Sequence, residues 1–229
     1  MKVAIMQPYF FPYIGYFQLI NAVDEFVIYD DVNFIKQGWI TRNSILVDKK
    51  IYNIILQVES ASSFKKIKEI TIGKNNKKLL KTIQQEYKKA PYFGVVFPII
   101  QEILSNNESN LAKFLIFSLR EIADYLRIDT VFKISSEIDK KDELKGQEKV
   151  IAICKQLGAT NYINAIGGQE LYDKVSFNHH QISLNFIKTE PIQYAQFDND
   201  FIPWLSIIDV IMFNSVEETK LLLNKYELV

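Results

Sequence analysis

Short apolar runs alternate with longer amphipathic segments along this chain. Residues 3–6, 25–29, 130–135, 160–165 and 184–188 form apolar runs of strand length, and they predict buried β-strands. Helical patterns separate most of these runs. Strands that alternate with helices are typical of a parallel sheet, because a parallel crossover needs a long connection that is usually helical. The pattern therefore predicts an α/β fold with an open, mostly parallel, Rossmann-like sheet and helices on both faces.

Three helical segments follow one another in the middle of the chain. Residues 110–126 give the clearest pattern, since apolar residues recur there every three or four positions. Residues 76–89 and 93–104 are also predicted to be helical, so we expect a helical insertion or cap at about 76–126. No linker rich in glycine, serine or proline divides the chain, and we expect a single α/β domain over residues 1–229.

Composition narrows the class of protein. The chain is 48% apolar and 24% charged with a formal net charge of zero, so its overall charge does not favour nucleic acid. Its single cysteine, Cys154, excludes an internal disulfide and a cysteine metal cluster, and its apolar neighbours predict a core thiol. No Asp or His spacing indicates a transition-metal site. The first apolar stretch is short and broken by prolines, so we expect no membrane span and a cytoplasmic protein.

One segment carries an excess of positive charge. Between residues 64 and 89 there are nine lysines and two glutamates. The lysines are Lys65, Lys66, Lys68, Lys74, Lys77, Lys78, Lys81, Lys88 and Lys89. A solvated helix face is one interpretation, and a docking surface for the phosphates of a nucleotide or an RNA is the other.

The loop after the first predicted strand is rich in aromatic residues and proline. Its two prolines stiffen the chain, and Gly15 allows a ligand or another backbone to approach closely. Free amides of the helical turn that follows favour a phosphate or a carboxylate. The aromatic residues alternatively fill a core, but four of them in five positions cannot all face inward. We therefore predict a binding loop made of Gln7, Pro8, Tyr9, Tyr13, Gly15 and Tyr16.

Part of this loop has the spacing of a known nucleotide-binding turn. Tyr13-Ile14-Gly15-Tyr16 resembles the His-Ile-Gly-His signature of nucleotidylyltransferases and class I tRNA synthetases, which also follows the first strand of a parallel α/β domain. The histidines of that signature stabilise phosphate charge, and a neutral tyrosine does so much less well. The resemblance implies a nucleotide site in which nucleotidyl transfer itself is in doubt.

Polar residues follow the second predicted strand. Asp30 and Asp31 point in different directions there, so one carboxylate is free to face a ligand while the other caps the next segment. A carboxylate at this place accepts sugar hydroxyls, acts as a general base on an amine, or helps to hold Mg²⁺. A turn with local salt bridges is the alternative. Lys36 and Arg42 suit a diphosphate, and the predicted binding residues are Asn33, Lys36, Arg42 and Asn43.

Two further features are candidates for chemistry. Gly167 and Gly168 follow a predicted strand and open a predicted helix, which suits either an anionic ligand or a plain tight turn. His180 belongs to the only histidine pair, His179-His180, and it is a candidate catalytic base. A surface pair is the alternative, because no serine, cysteine or metal ligand lies nearby in the sequence.

The end of the chain is predicted to form two helices, over residues 201–214 and 217–226. Ser206 and Asp209 share one face of the first helix, which is otherwise apolar. An unpaired buried carboxylate is costly, so Asp209 needs a partner. A structural bridge, for instance to Arg42, and a place in the ligand site both remain open.

In their order along the chain, these segments resemble the WbqC-like family of bacterial polysaccharide-locus proteins. The resemblance covers nearly the whole chain, and its implied setting is the assembly of O-antigens and related surface glycans, many of which carry acylated amino sugars. The residues that carry it are Gln7-Pro8-Tyr9, Pro12-Tyr13-Ile14-Gly15-Tyr16-Phe17, Val23-Asp24-Glu25-Phe26-Val27, Asp30-Asp31-Val32, Arg42-Asn43, Ala90-Pro91-Tyr92-Phe93, Lys145-Gly146-Gln147-Glu148, residues 158–168 and Leu205-Ser206-Ile207-Ile208-Asp209.

The resemblance implies a transferase that modifies a nucleotide-activated sugar, by acyl or aminoacyl transfer to a sugar amine. Its partner is expected to be a nucleotide-linked sugar, and its donor an aminoacyl-tRNA, docked on the lysines of residues 65–89, or an acyl thioester. Asp30, Asp31 and His180 are the predicted catalytic residues. A nucleotidylyltransferase-like enzyme and a non-catalytic binding or scaffold protein are the alternatives, and a homodimer is compatible with the sequence.

Overall fold

The computed structural model describes residues 1–197 and 200–229, and the chain forms an α/β fold. Its strands are β1 (Lys2–Met6), β2 (Glu25–Ile28), β3 (Arg42–Val47), β4 (Lys50–Ile55), β5 (Val58–Glu59), β6 (Thr71–Ile72), β7 (Val131–Ile134), β8 (Asn161–Ala165), β9 (Ser183–Thr189) and β10 (Tyr226–Leu228). Its α-helices are α1 (Ile14–Asn21), α2 (Asn76–Tyr87), α3 (Phe93–Ser105), α4 (Leu111–Tyr125), α5 (Gly146–Leu157), α6 (Lys174–His179), α7 (Ile207–Phe213) and α8 (Val216–Leu223).

The main sheet has the strand order β10-β9-β8-β1-β2-β7. Its strands run parallel except for β10, which pairs antiparallel with β9 at one edge. The predicted open, mostly parallel sheet is confirmed. The chain first moves outward from β1 through β2 to β7 and then returns to the other side of β1 with β8 and β9. Strand order therefore reverses at β1.

Helices cover both faces of this sheet, as predicted, because residues of each buried strand alternate between the faces. Ala4 and Phe26 belong to a large apolar cluster with α1, α3, α4, α7 and α8. Val3 and Val27 point the other way and pack with α5 and α6. Cys154 lies in this second cluster, where burial raises the pKa of its thiol to about 12, so the predicted core thiol is confirmed.

The connection from β2 to β7 carries most of the additional structure. It contains the β3–β4 hairpin, the short β5–β6 pair and the three helices α2, α3 and α4. The apolar stripe that predicted α4 is buried in the first cluster. Within residues 1–197 and 200–229, no helix combines the length and the apolar character that a membrane span requires.

The end of the chain differs from the predicted pair of long helices. Residues 201–206 are not helical: they contain Pro203, and Trp204 has a left-handed backbone with φ of 65°. Helix α7 begins after Ser206, whose hydroxyl accepts a hydrogen bond from the Ile208 amide. Helix α8 ends at Leu223, and the chain then forms β10, a three-residue strand too short to leave a periodic pattern.

Candidate ligand site at the carboxyl edge of the sheet

The reversal of strand order at β1 identifies the edge of the sheet where a ligand is expected. In open parallel α/β sheets the loops on either side of such a reversal diverge and leave a crevice beyond the carboxyl ends of the strands. Here the loop after β1 and the loop after β8 emerge at this edge. The structure thus places the Gln7–Tyr16 loop and the Gly167-Gly168 turn at the same end of neighbouring strands.

The loop after β1 is held in an unusual conformation by distant residues. Phe11 has a left-handed backbone with φ of 41°, and its carbonyl oxygen accepts two hydrogen bonds. One comes from Asn43 Nδ2 at 2.9 Å and the other from Ser206 Oγ at 2.7 Å. The Ile207 amide also donates to the Pro12 carbonyl at 2.8 Å. Asn43 is buried, and it contacts the backbone of the predicted binding loop rather than open solvent.

The two tyrosines of Tyr13-Ile14-Gly15-Tyr16 occupy different environments. Tyr16 is 3% exposed, and its hydroxyl donates to the Gln7 carbonyl at 2.8 Å. Burial raises the pKa of Tyr16, and its ring packs on Tyr9 with centroids 5.4 Å apart. Tyr13 is only partly buried, and its ring lies over Gly15, where a Cβ atom would come within 2.3 Å of it. A larger residue at position 15 would therefore displace the Tyr13 ring, and of the two tyrosines only Tyr13 faces an open space.

That open space is a cavity of about 470 Å³ between the start of α1 and the segment that follows β9. Its walls are mainly apolar and rich in aromatic rings, which is typical of small-molecule sites. Few polar side chains line it, and Glu190 is the only acidic one among the described lining residues. The lining residues used below are Tyr13, Thr189, Glu190, Tyr194, Phe201 and Trp204.

Trp204 is the most conspicuous part of this cavity. Trp204 is 70% exposed, and its backbone has the left-handed conformation. Packing in the core explains neither feature. The centroids of the Trp204 and Tyr13 rings are 6.0 Å apart. Exposed aromatic rings beside a cavity, held on a strained backbone, are typical of a binding surface. The predicted site lacked Trp204, because the apolar pattern around it was interpreted as helix.

A buried carboxylate lies behind the cavity. Asp209 is fully buried and accepts hydrogen bonds from the Tyr87 hydroxyl at 2.8 Å, the Tyr194 hydroxyl at 2.7 Å and Gln196 Nε2 at 2.7 Å. Burial raises the pKa of Asp209, although these donors partly offset it. The suggested bridge to Arg42 does not form. Asp209 instead fixes Tyr194, one wall of the cavity.

Asp30 and Asp31 lie at the end of β2 and are both held by protein donors. Asp30 accepts from the Ser136 amide at 2.9 Å and the Ser136 hydroxyl at 2.7 Å. Asp31 forms ion pairs with Lys140 at 3.1 Å and Lys149 at 3.0 Å, and it accepts from the Ser135 hydroxyl at 2.7 Å. Burial alone would raise the pKa of Asp31, but the hydrogen bonds from Ser135, Lys149 and Lys140 outweigh burial and hold that pKa below its ordinary value.

The other polar candidates lie on the loop between β2 and β3 and at the first residue of β3. Asn33 and Lys36 are exposed, and Asn33 forms an isolated backbone bridge with Lys66. The guanidinium of Arg42 lies over the Trp39 ring at 5.3 Å from its centroid, and its buried Nε has no hydrogen-bond partner within the described part of the chain. The lysine-rich segment continues along α2, where the lysines are exposed.

The remaining predicted residues lie in two different places. Gly168 is buried, and a Cβ atom there would come within 2.5 Å of Asn164 Nδ2, so a larger residue would displace the Asn164 side chain. Gly167 and Gly168 belong to a 3₁₀ turn at the carboxyl edge. His180 follows α6 and precedes β9, so it lies at the opposite, amino edge of the sheet. The structure does not bring His180 together with the other predicted residues.

The fold and this edge define an α/β protein with a Rossmann-like sheet and an aromatic cavity beside its first helix. The chain belongs to the WbqC-like protein family, whose family model matches residues 7–221. It is 30% identical over 218 residues to the uncharacterized protein Rv1507c of Mycobacterium tuberculosis, with 93% of each chain covered. No solved structure matches the chain.

Proposed function

We propose that this protein is a transferase that modifies a nucleotide-activated amino sugar during the synthesis of a bacterial surface glycan. The modification is the transfer of an acyl or aminoacyl group to the sugar amine. The observation that carries this proposal is the aromatic cavity of about 470 Å³ at the start of α1. A cavity of this size suits part of a nucleotide-sugar, because aromatic rings stack on sugar and base faces.

The proposed pose uses both parts of the carboxyl edge. The sugar or the base lies between the rings of Tyr13 and Trp204, whose centroids are 6.0 Å apart and separate to admit it. The diphosphate lies toward the amides of the first turn of α1, where the helix dipole favours negative charge. Lys36 and Arg42 remain proposed phosphate ligands.

The proposed reaction forms an amide bond. The neutral sugar amine attacks the carbonyl carbon of the donor, a C–N bond forms, and the C–O bond of an aminoacyl ester or the C–S bond of a thioester breaks. One proton leaves the amine, and the departing alcohol or thiol gains one. We assign the proton acceptor to Glu190, because it is the acidic residue among the described residues that line the cavity.

In this proposal Glu190, and neither Asp30 nor Asp31, is the general base. The carboxylate of Asp31 already accepts bonds from two lysines and a serine, and its lowered pKa makes it a weaker base. In our proposal Asp30 and Asp31 position the loops after β2 and β7. His180, at the amino edge of the sheet, has no part in it.

Replacement of Glu190 by glutamine tests the assignment. We expect about a hundredfold loss of transfer, since a general base contributes at least that much. The measurement is mass spectrometry of the surface glycan from a strain that lacks the gene and carries each variant. Glu170→Gln is the matched control, because Glu170 is an exposed glutamate of the 3₁₀ turn at the same edge. An unchanged glycan in the deletion strain would contradict the proposed function, and full restoration by Glu190→Gln would contradict the role of Glu190.

A nucleotidylyltransferase is the second candidate, because Tyr13-Ile14-Gly15-Tyr16 begins the helix after β1. The hydroxyl of Tyr16 is committed to the Gln7 carbonyl, so only Tyr13 is available to a phosphate. Incubation with nucleoside triphosphate, Mg²⁺ and a sugar phosphate distinguishes the two candidates, since a nucleotidylyltransferase releases pyrophosphate and the proposed acyl transferase does not. A scaffold protein is favoured instead if nucleotide-sugars bind while substitution of Glu190, Asp30, Asp31 and His180 leaves the glycan unchanged.

A further inference from the structure

β4 forms one outer edge of the two-stranded β3–β4 hairpin. β4 pairs with β3 on one side, and within the described residues no strand pairs with it on the other. Free edges offer unpaired amide and carbonyl groups, and proteins usually protect them with charged residues, proline or bulges. β4 has the sequence Lys-Ile-Tyr-Asn-Ile-Ile, so its only charge is at one end.

The turn of the hairpin determines which backbone groups face outward. Asp48 and Lys49 form a two-residue turn in which both have positive φ, of 47° and 63°. Such a turn is closed by a hydrogen-bonded pair, Val47 with Lys50, so every second pair along the ladder is hydrogen-bonded. The amides and carbonyls of the intervening residues, Ile51, Asn53 and Ile55, therefore point to the free edge. In agreement, the Ile55 carbonyl accepts an outside bond, from Asn75 Nδ2.

The side chains along this edge form a palindrome. Ile51 and Ile55 are 61% and 53% exposed, and both stand two residues from Asn53. An antiparallel pairing about a two-fold axis at Asn53 places Asn53 opposite its own copy and Ile51 opposite the partner's Ile55. The same pairing places the amide and carbonyl of Asn53 opposite those of its copy, and the Ile55 amide opposite the partner's Ile51 carbonyl. The Ile55 carbonyl already accepts from Asn75 Nδ2, so the partner's Ile51 amide shares that acceptor. Lys50 then lies opposite the partner's Leu56, so like charges do not meet.

We propose that β4 is the interface of a symmetric homodimer, in which two hairpins form one four-stranded sheet β3-β4-β4-β3. The occupant is a second copy of this chain rather than a foreign peptide, because the edge complements itself in backbone and in side chains. Each exposed isoleucine gains an apolar cross-strand neighbour. This inference is independent of the proposed function.

The interface adjoins the loop that forms the ligand site. β3 supplies Asn43, which holds the Phe11 carbonyl, and the Ser44 carbonyl, which accepts from the Ser206 amide at 2.8 Å. Pairing β4 with a partner makes β4 an inner strand, which in turn holds its neighbour β3 more firmly. The dimer is therefore expected to stabilise the two segments that flank the cavity, namely the loop after β1 and the segment before α7.

Molar mass in solution tests this proposal. Size-exclusion chromatography with light scattering over a dilution series is expected to show a dimer that dissociates on dilution. The double variant Ile51→Lys with Ile55→Lys places like charges across the interface and should raise the dissociation constant at least about tenfold. Val175→Lys is the control, since Val175 is equally exposed on α6. A wild-type monomer at every concentration, or a dimer unaffected by the double variant, would overturn the proposal.

A cross-link gives a second test that does not depend on weakening the interface. In the proposed pairing, the Cα atoms of Asn53 and its copy form a hydrogen-bonded pair about 5.5 Å apart, a distance that a disulfide spans. Cys154 is buried, so Asn53→Cys introduces the one accessible thiol within the described part of the chain. Mild oxidation should convert most of this variant to covalent dimer, but not Val175→Cys. Equal cross-linking of both variants would contradict the symmetric pairing.

Discussion

Replacement of Asp31 by asparagine is expected to lower the free energy of unfolding by about 3–5 kcal/mol, because it leaves buried cations without their counter-charge. Asp31 pairs with Lys140 and Lys149, and the side chains of all three are less than a tenth exposed. Asparagine keeps the shape of the residue, so the loss reports on charge. Urea unfolding followed by circular dichroism measures it.

Asp30 provides the matched control for this prediction. It is the adjacent buried carboxylate, but its partners are the amide and hydroxyl of Ser136, without a lysine. We expect Asp30→Asn to cost about 1–2 kcal/mol. A loss below about 1 kcal/mol for Asp31→Asn, or equal losses for the two variants, would show that the ion pairs do not hold this edge together.

The effect of Asp31 has a defined dependence on pH. Its pKa in the folded protein lies below the ordinary value of 3.8, so its contribution to stability is complete above that value. The contribution is lost as the pH falls through the folded-state pKa. The difference in unfolding free energy between wild type and Asp31→Asn should therefore be constant near neutrality and shrink in the acid range below 3.8.

Replacement of Asp209 by alanine is expected to cost about 3 kcal/mol or more, because it leaves three buried donors without an acceptor at about 1–3 kcal/mol each. The donors are the hydroxyls of Tyr87 and Tyr194 and the amide of Gln196. Since Tyr194 lines the cavity, the variant should also bind ligand more weakly. Thermal and urea unfolding measure the first effect, and a loss below about 1 kcal/mol would contradict the assigned network.

Asp209→Asn separates charge from hydrogen bonding at the same position. Burial raises the pKa of Asp209 in the folded protein above its unfolded value. A group shifted in this direction stabilises the protein below its unfolded pKa, and the benefit is lost as the pH rises through the folded pKa. The advantage of wild type over Asp209→Asn should therefore be larger near pH 4 than near pH 7. An advantage that grows with pH would contradict the raised pKa.

Local patterns were sufficient to predict the central sheet. The central parallel strands β1, β2 and β8 are buried on both sides, so each contains a short apolar run. Helix α4 shows a single apolar stripe because only one of its sides packs inward. The order of these elements also placed Tyr13 and Asp31 correctly at strand carboxyl ends, since that depends only on chain direction.

Long-range contacts explain what the sequence did not reveal. Asp31 meets Lys149 from 118 residues away, and no local signal connects the two. Ser206 holds the Phe11 carbonyl across 195 residues. The cavity unites the start of α1 with the segments after β9 and before α7, so it exists only once the sheet has formed. Trp204 was assigned to a helix because its apolar neighbours suit one, and its left-handed backbone leaves no sequence signature.

The central claim is that a nucleotide-linked sugar binds against Trp204. The chain has two tryptophans, so Trp39→Phe leaves Trp204 as the only tryptophan and makes its fluorescence a direct reporter. Titration with UDP-, dTDP-, GDP- and CDP-linked amino sugars is the measurement. We predict a saturable change in the intensity and wavelength of Trp204 fluorescence with at least one of them. Excess nucleoside diphosphate should reverse this change by competing for the site. No saturable change with any of the four classes, in a folded Trp39→Phe protein, would contradict the account.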